Sequence, residues 1–397
     1  MTNGVVVTGL GLVTAAGVGT EPTWRAVCAG ESTAATDPVL AGLPVDFSCR
    51  VPEFDPKALL GRRATMQYDR FVQLGLVAAQ EAVADAGLDP ATWDGARVGV
   101  VVGCSVGGAD TLAKQQRRFH DDGPETVSSL LMPMVIPNMV AGHLGIRFRA
   151  TGPSLVTSTA CASGATAIGV ARDMLLQGVC DIVLAGGTDA PVAPLIVTGF
   201  RQMRALSTRT EAPAAASRPF DAGRDGFVMG EGSGILVLER AGHAAARGAR
   251  PRARLVGYGA STDAYHATAP DPAGTGVERA VRTALADAGA APTDVDHVNA
   301  HGTSTPLNDL AEAKVLARCL GTGPAVTSAK GTLGHTLGAA GAIEAALTVL
   351  TVESGRIPPT ANLESQDPEI EIDVVTKEAR RRRSDLALTN SFGFGGH

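Results

Sequence analysis

At 397 residues and 45% hydrophobic content, the chain is long enough for two ordinary domains or one large duplicated one, so core size sets no limit on its stability. Aromatic residues make up only 4% against 48 glycines, which predicts close-packed small-residue helices and many tight turns in place of an aromatic-filled core. A net charge of −6 argues against general nucleic-acid binding, and any acidic partner has to meet a local basic patch.

From the N-terminus, Gly4-Val5-Val6-Val7-Thr8-Gly9 enters a strand at once, without the basic segment and apolar run of a signal peptide. No uninterrupted apolar run reaches membrane length either, because Arg172 and Asp173 break the longest candidate. Six cysteines (Cys28, Cys49, Cys104, Cys161, Cys180 and Cys319) form no C-x-x-C pair and no cluster with metal-ligand spacing. The expectation is a cytoplasmic protein with reduced thiols, no metal site and no membrane segment.

Short β-branched runs alternate with alanine-rich stretches, the pattern of an α/β protein whose strands are buried on both faces. Strands are predicted at Val5 to Thr8, Val98 to Val102, Ile182 to Ala185, Ile235 to Leu238 and Val298 to Ala300. Glu81 to Gly87 is similar to Thr283 to Gly289, and Gly4 to Gly11 to Ala253 to Gly259, each of the latter ending in Gly-x-Gly. These pairs predict a duplication with its boundary near Arg240 to Ala253.

Gly103-Cys104-Ser105-Val106-Gly107-Gly108 matches no nucleotide-binding fingerprint and reads as a tight turn for close backbone approach. Leu130 to Val140, rich in methionine, is expected in the core or lining an apolar ligand. Thr157 to Gly164 sets Cys161 between a Ser/Thr-rich lead-in and a helix predicted over Ala162 to Gln177. There the free N–H groups and positive dipole end favour a thiolate. An inert buried cysteine is the alternative for any single Cys. The Arg/Asp-dense segment Ser217 to Phe227 is expected to fix loops and not to catalyse.

His301 follows a predicted strand, and Lys330 and His335 lie in a Gly/Ser/Thr-rich turn before a small-residue helix from Gly338 to Leu350. Asp309 and Glu312, three apart on one helix face, are the expected carboxylates for Lys330.

Thr159-Ala160-Cys161-Ala162-Ser163-Gly164, His301-Gly302-Thr303-Ser304-Thr305, Lys330-Gly331-Thr332-Leu333-Gly334-His335 and Asn390-Ser391-Phe392-Gly393-Phe394-Gly395-Gly396 together resemble the β-ketoacyl-acyl carrier protein synthases, in both their fatty-acid and type II polyketide branches. The resemblance spans nearly the whole chain. It implies a thiolase fold, five layers α-β-α-β-α built from two βαβαβαββ-type halves, here 1–250 and 251–397, and a dimer. It implies that Cys161 carries an acyl chain, that the backbone N–H groups of Cys161 and Phe394 form an oxyanion hole, and that Phe394 gates the pocket. His301 and His335 are implied to stabilise the enolate from malonyl decarboxylation, with Lys330, Glu312 and Asp309 in support. Thr303 and Thr305 are similar to residues that bind phosphopantetheine; Leu112, Phe200 and Leu131 to residues that line the acyl tunnel; Arg62, Arg63, Arg70 and Arg204 to residues that dock the acyl carrier protein. No resident cofactor is implied, since phosphopantetheine arrives on its carrier.

Cys104-Ser105 departs from the Ser/Thr-Gly pair of fatty-acid members and is closer to polyketide ones, whereas Thr159-Ala160-Cys161 and Thr303-Ser304-Thr305 are closer to fatty-acid ones. The partner is therefore either a second copy or a chain-length factor. A final strand is expected beyond His397. A coenzyme A-dependent thiolase needs a second active cysteine near its C-terminus, and a non-catalytic chain-length factor lacks the nucleophile, so both fit less well.

Overall fold

The computed structural model describes residues 4–397. Its first sheet has seven strands, built on β1 (Val5–Thr14), β2 (Val98–Gly103), β3 (Ser154–Thr157), β4 (Ile182–Asp189) and β5 (Gly232–Arg240), in the order β1-β5-β4-β2-β3. β2 runs parallel to β3 and β4, and β5 runs antiparallel to β4 and β1. β6 (Ala253–Leu255) adds to the free side of β1, as does the two-residue strand Gly17–Val18. Every residue of β1, β2 and β4 is buried, which is why their sequences are near-continuous apolar runs with no alternation.

A second sheet holds β7 (His297–Asn299), β8 (Ala325–Thr327), β9 (Asp373–Val374) and β10 (Ala387–Thr389), in the order β9-β8-β7-β10 and all parallel. β7 between β8 and β10 repeats β2 between β3 and β4. Four helices complete the scaffold of the site: α1 (Arg70–Asp85), α2 (Ser163–Leu176), α3 (Thr275–Ala288) and α4 (Pro306–Leu320), joined by a fifth, α5 (Ala340–Ser354). One core packs α1 on the outer face of the first sheet, a second packs α2 and α5 on its inner face, and a third packs α3 and α4 on the second sheet. The five layers α-β-α-β-α follow.

The predicted duplication holds at the level of contacts. A Cβ on Gly11 would lie 1.9 Å from the Ala78 carbonyl oxygen of α1, and one on Gly259 would lie 2.1 Å from that of Ala280 in α3. The N–H of Leu10 donates to Asp85 (2.8 Å), and that of Tyr258 donates to Asp287 (2.9 Å). Both pairs keep the same offsets between strand and helix, so small residues and one aspartate set the same strand-on-helix docking twice.

Among the described residues, one stretch is long and apolar enough to cross a bilayer, Leu337–Ser354; it comprises α5 and the turn before it, and 78% of it is buried inside the protein. Two expectations need correction. Of the stretch Leu130 to Val140, Val140 joins the core, but Leu131–Val135 forms a short helix with no buried residue, Met132 being 59% exposed, and is not core of this chain. Leu112 and Leu131 do not reach the cavity described below; Leu112, on the helix Ala109–Asp122, is 48% exposed.

Candidate active site

Cys161 lies in a short 3₁₀ turn, Ala160–Ala162, that leads straight into α2. Ser163 pins this turn: its hydroxyl donates to the Ala160 carbonyl (2.6 Å) and accepts from the Thr159 N–H (3.0 Å). Ala160 is held at φ +50°, left-handed for a residue with a Cβ, at a cost of about 1–2 kcal/mol that the surroundings must offset. From the opposite side Gly393 presses on the turn, since a Cβ there would lie 2.4 Å from the Thr159 carbonyl oxygen. The loop carrying Phe394 thus lies directly against the turn that holds Cys161.

Around Cys161 opens a cavity of about 710 Å³, lined by His301, His335, Phe200, Phe227, Phe392 and Phe394 among others. Two histidines from different loops meet here: their ring centroids are 5.4 Å apart and nearly perpendicular. Phe392 packs on His301 (5.3 Å) and Phe227 on His335 (5.2 Å), while Phe200 sits between Phe227 and Phe394 (5.5 and 6.0 Å). An arc of aromatic rings therefore fixes both imidazoles and continues to Phe394. Phe227 and Phe392 were not singled out from the sequence, although Phe392 stands inside the glycine-rich motif.

Burial, with Lys330 nearby, drives the pKa of both histidines well below 6.5, so both are neutral imidazoles near pH 7. Burial also pushes the Cys161 thiol up to about 12, against the pull of Lys330. The expectation of a resting thiolate is corrected: desolvation outweighs the helix terminus when the sulfur is closed off from water.

Lys330 does not pair with Glu312 or Asp309. Its ammonium donates to the Glu344 carboxylate of α5 and to the His301 carbonyl oxygen (2.6 Å). Glu312 accepts instead from the N–H groups of His301 and Gly302 (both 2.8 Å) and from Asn390 (3.1 Å), holding the histidine loop by its backbone. Asp309 accepts from the Phe220 N–H (2.9 Å) and faces Arg224 (3.7 Å), which ties α4 to the Arg/Asp segment. That segment is structural as expected: Arg218 pairs with Asp221 (2.9 Å) and Arg224 with Asp367 (2.7 Å). The signal for Glu344 was a carboxylate in the middle of the small-residue and apolar run from Ala340 to Leu350, where only a buried partner makes it tolerable.

Thr303 and Thr305 line the cavity and share a hydrogen bond between their hydroxyls (2.9 Å). Arg62, Arg63 and Arg204 are exposed, and Arg204 lies on the cavity wall. Arg70 is withdrawn from this set, because its guanidinium is bound by buried Glu231 (2.6 and 2.8 Å).

A five-layer duplicated α/β fold with one buried cysteine facing two neutral histidines defines the class: a thiolase-fold condensing enzyme. The Beta-ketoacyl synthase N-terminal domain model matches residues 2–244 and the Beta-ketoacyl synthase C-terminal domain model residues 252–364. The chain belongs to the β-ketoacyl synthase family. It is 43% identical to a 3-oxoacyl-[acyl-carrier-protein] synthase 2 of Synechocystis, over 99% of this chain and 96% of that protein. With the same-named protein of Vibrio harveyi it is 41% identical, over 99% and 96%. Among solved structures it is similar to the ishigamide ketosynthase/chain length factor (33% identity, TM-score 0.93, 100% and 97% covered). It is also similar to a β-ketoacyl synthase from Burkholderia phymatum (36%, TM-score 0.93, 99% and 97%).

Proposed function

We propose that this protein is a β-ketoacyl-acyl carrier protein synthase that extends an acyl chain by decarboxylative condensation with malonyl-acyl carrier protein, in fatty-acid or type II polyketide elongation. The observation that carries the reading is the placement of Cys161 beside neutral His301 and His335 in one apolar cavity. The Cys161 sulfur adds to the acyl thioester carbonyl. A new S–C bond forms, the bond to the phosphopantetheine sulfur breaks, and the thiol proton leaves with that sulfur. The N–H groups of Cys161 and Phe394 receive the developing oxyanion. Malonyl thioester then loses carbon dioxide, its C–C electrons become an enolate, and His301 and His335 hydrogen-bond the enolate oxygen. The enolate carbon attacks the acyl carbonyl, and Cys161 leaves and regains a proton.

Neutral imidazoles suit this role, since a donor that is not a cation stabilises the enolate without protonating it outright. Thr303 and Thr305, on the cavity wall, receive the phosphopantetheine arm in this reading; the arm brings its own thiol, so the reading calls for no resident cofactor. Arg62, Arg63 and Arg204 supply the local positive charge for an acidic carrier, in a cytoplasmic setting.

The exposed apolar face of Leu112, Phe119, Met132 and Ile136 supports a dimer in which the partner closes the acyl tunnel. A soluble, active assembly of this chain alone favours a homodimer in fatty-acid work; inactivity rescued by a chain-length-factor partner favours the polyketide arm. The central experiment is intact-protein mass after exposure to acyl-carrier thioester. Wild type should gain one acyl group and Cys161→Ala none; acylation of the mutant at the wild-type rate refutes the reading.

A further inference from the structure

Asp189, the last residue of β4, is wholly buried, and no cation pairs with it among the described residues. Five donors surround it. Oδ2 accepts from the Ser105 N–H (2.9 Å), the Ser105 hydroxyl (2.5 Å) and the Gly338 N–H (2.8 Å). Oδ1 accepts from the Val106 N–H (3.2 Å) and the Cys104 thiol (3.4 Å). These donors belong to two turns distant in sequence, one after β2 and one before α5.

Both turns bear on the nucleophile. A Cβ on Gly103 would lie 2.2 Å from the Ser163 carbonyl carbon, and one on Gly164 would lie 2.9 Å from the Gly338 carbonyl oxygen, so the first turn of α2 rests on the two segments that Asp189 joins. Val106 packs against the apolar cluster that contains Cys161, as do Ile196 and Phe200. Leu337, next to Gly338, is held at φ +48° and is two residues from His335. An arrangement this strained needs an anchor.

We propose that Asp189 is a positioning residue for the acyl-Cys161 step. By gathering the Cys104–Val106 and Leu337–Gly338 turns onto one carboxylate, it fixes the seat of the nucleophile and the apolar cluster against which both Val106 and the cavity-lining Phe200 pack. The inference rests on Cys161 as the acyl carrier. It also gives Ser105 a role: its hydroxyl is an extra donor that a glycine could not provide. The carboxylate places negative charge near Cys161 and opposes thiolate formation, in the direction opposite to Lys330.

Asp189→Asn tests it, because a carboxamide has nearly the same shape but loses the charge and turns an N–H₂ group toward donors. Two quantities are read on protein whose fold is checked by circular dichroism. One is the pH midpoint of iodoacetamide alkylation at Cys161, resolved by peptide mass. The other is the preference among acyl-carrier thioesters of different chain length. The midpoint is expected to fall by about one pH unit, and the preference to change. A folded variant that keeps the wild-type value of either quantity overturns the proposal. Should Asp189→Asn fail to fold, Ser105→Ala decides: it keeps the charge and removes one donor, so altered chain preference with an unchanged midpoint is expected, and unchanged preference overturns the proposal. If wild type accepts no acyl group from any carrier, the proposed function fails instead, while the alkylation midpoint still reports whether Asp189 acts on Cys161.

Discussion

Lys330 and Glu344 form an ion pair in which both side chains are almost wholly buried, and it joins the turn before His335 to the middle-layer helix α5. The same ammonium holds the His301 carbonyl, so one cation braces both histidine loops. Removing one partner strands the other charge in a medium that cannot solvate it. Glu344→Gln is therefore expected to lower unfolding stability by about 3–5 kcal/mol and to impair condensation. Urea denaturation measures the first; a variant as stable as wild type would mean that the pair is solvated in solution.

His301→Ala and His335→Ala should each slow malonyl decarboxylation more than they slow acyl transfer, since the rings face the cavity but neither is needed to carry the acyl group. Loss of one such donor costs on the order of 10²- to 10³-fold. Carbon dioxide release from protein already acylated at Cys161 gives the rate. Slow acylation with normal decarboxylation in both variants would reverse the assigned roles.

The arginines separate into two groups. Arg63→Glu with Arg204→Glu should leave stability unchanged, slow transfer from an acidic carrier and weaken its salt dependence, because both side chains are exposed. Arg70→Glu should instead destabilise, since it sets a second carboxylate against buried Glu231. Equal thermal shifts in the two variants would contradict this division.

How much was legible follows from the range of each interaction. Strands such as Val98 to Val102 announce themselves by continuous β-branched runs, and the Gly-x-Gly and Ala-Asp-Ala-Gly echoes were legible because the same docking occurs twice. The Cys, His, His and Lys set was legible by motif. Glu344 was not, because its pairing with Lys330 depends on how α5 lies between the sheets, whereas Asp309 and Glu312 only had a helix face in common. Arg70 was misplaced with Arg62 and Arg63 for a similar reason: sequence proximity does not say which way a helix start turns. The thiolate expectation weighed a local dipole and could not weigh a cavity that forms from both halves of the chain.

His297, at the start of β7, is wholly buried, and neither ring nitrogen has a partner among the described residues. Burial takes its pKa from 6.5 down to about 3. The unfolded chain therefore binds this proton first, so the stability contribution is whole above pH 6.5 and is lost as pH falls toward 3. His301 and His335 are depressed in the same sense. Asp309 and Glu344, raised to about 6 and about 7 by burial, carry the opposite sign: they favour the folded state at low pH and lose that contribution as pH rises through those values. They offset part of the histidine effect without removing it. Each buried neutral histidine steepens the acid limb by about 1.4 kcal/mol per pH unit within its window. His297→Leu deletes one such group outside the cavity, and should flatten the limb between pH 6 and 4 by that amount while leaving acyl transfer at pH 7 intact. Urea midpoints of wild type and variant across this range provide the measurement, and limbs that run parallel would mean that His297 already takes up its proton in the folded protein.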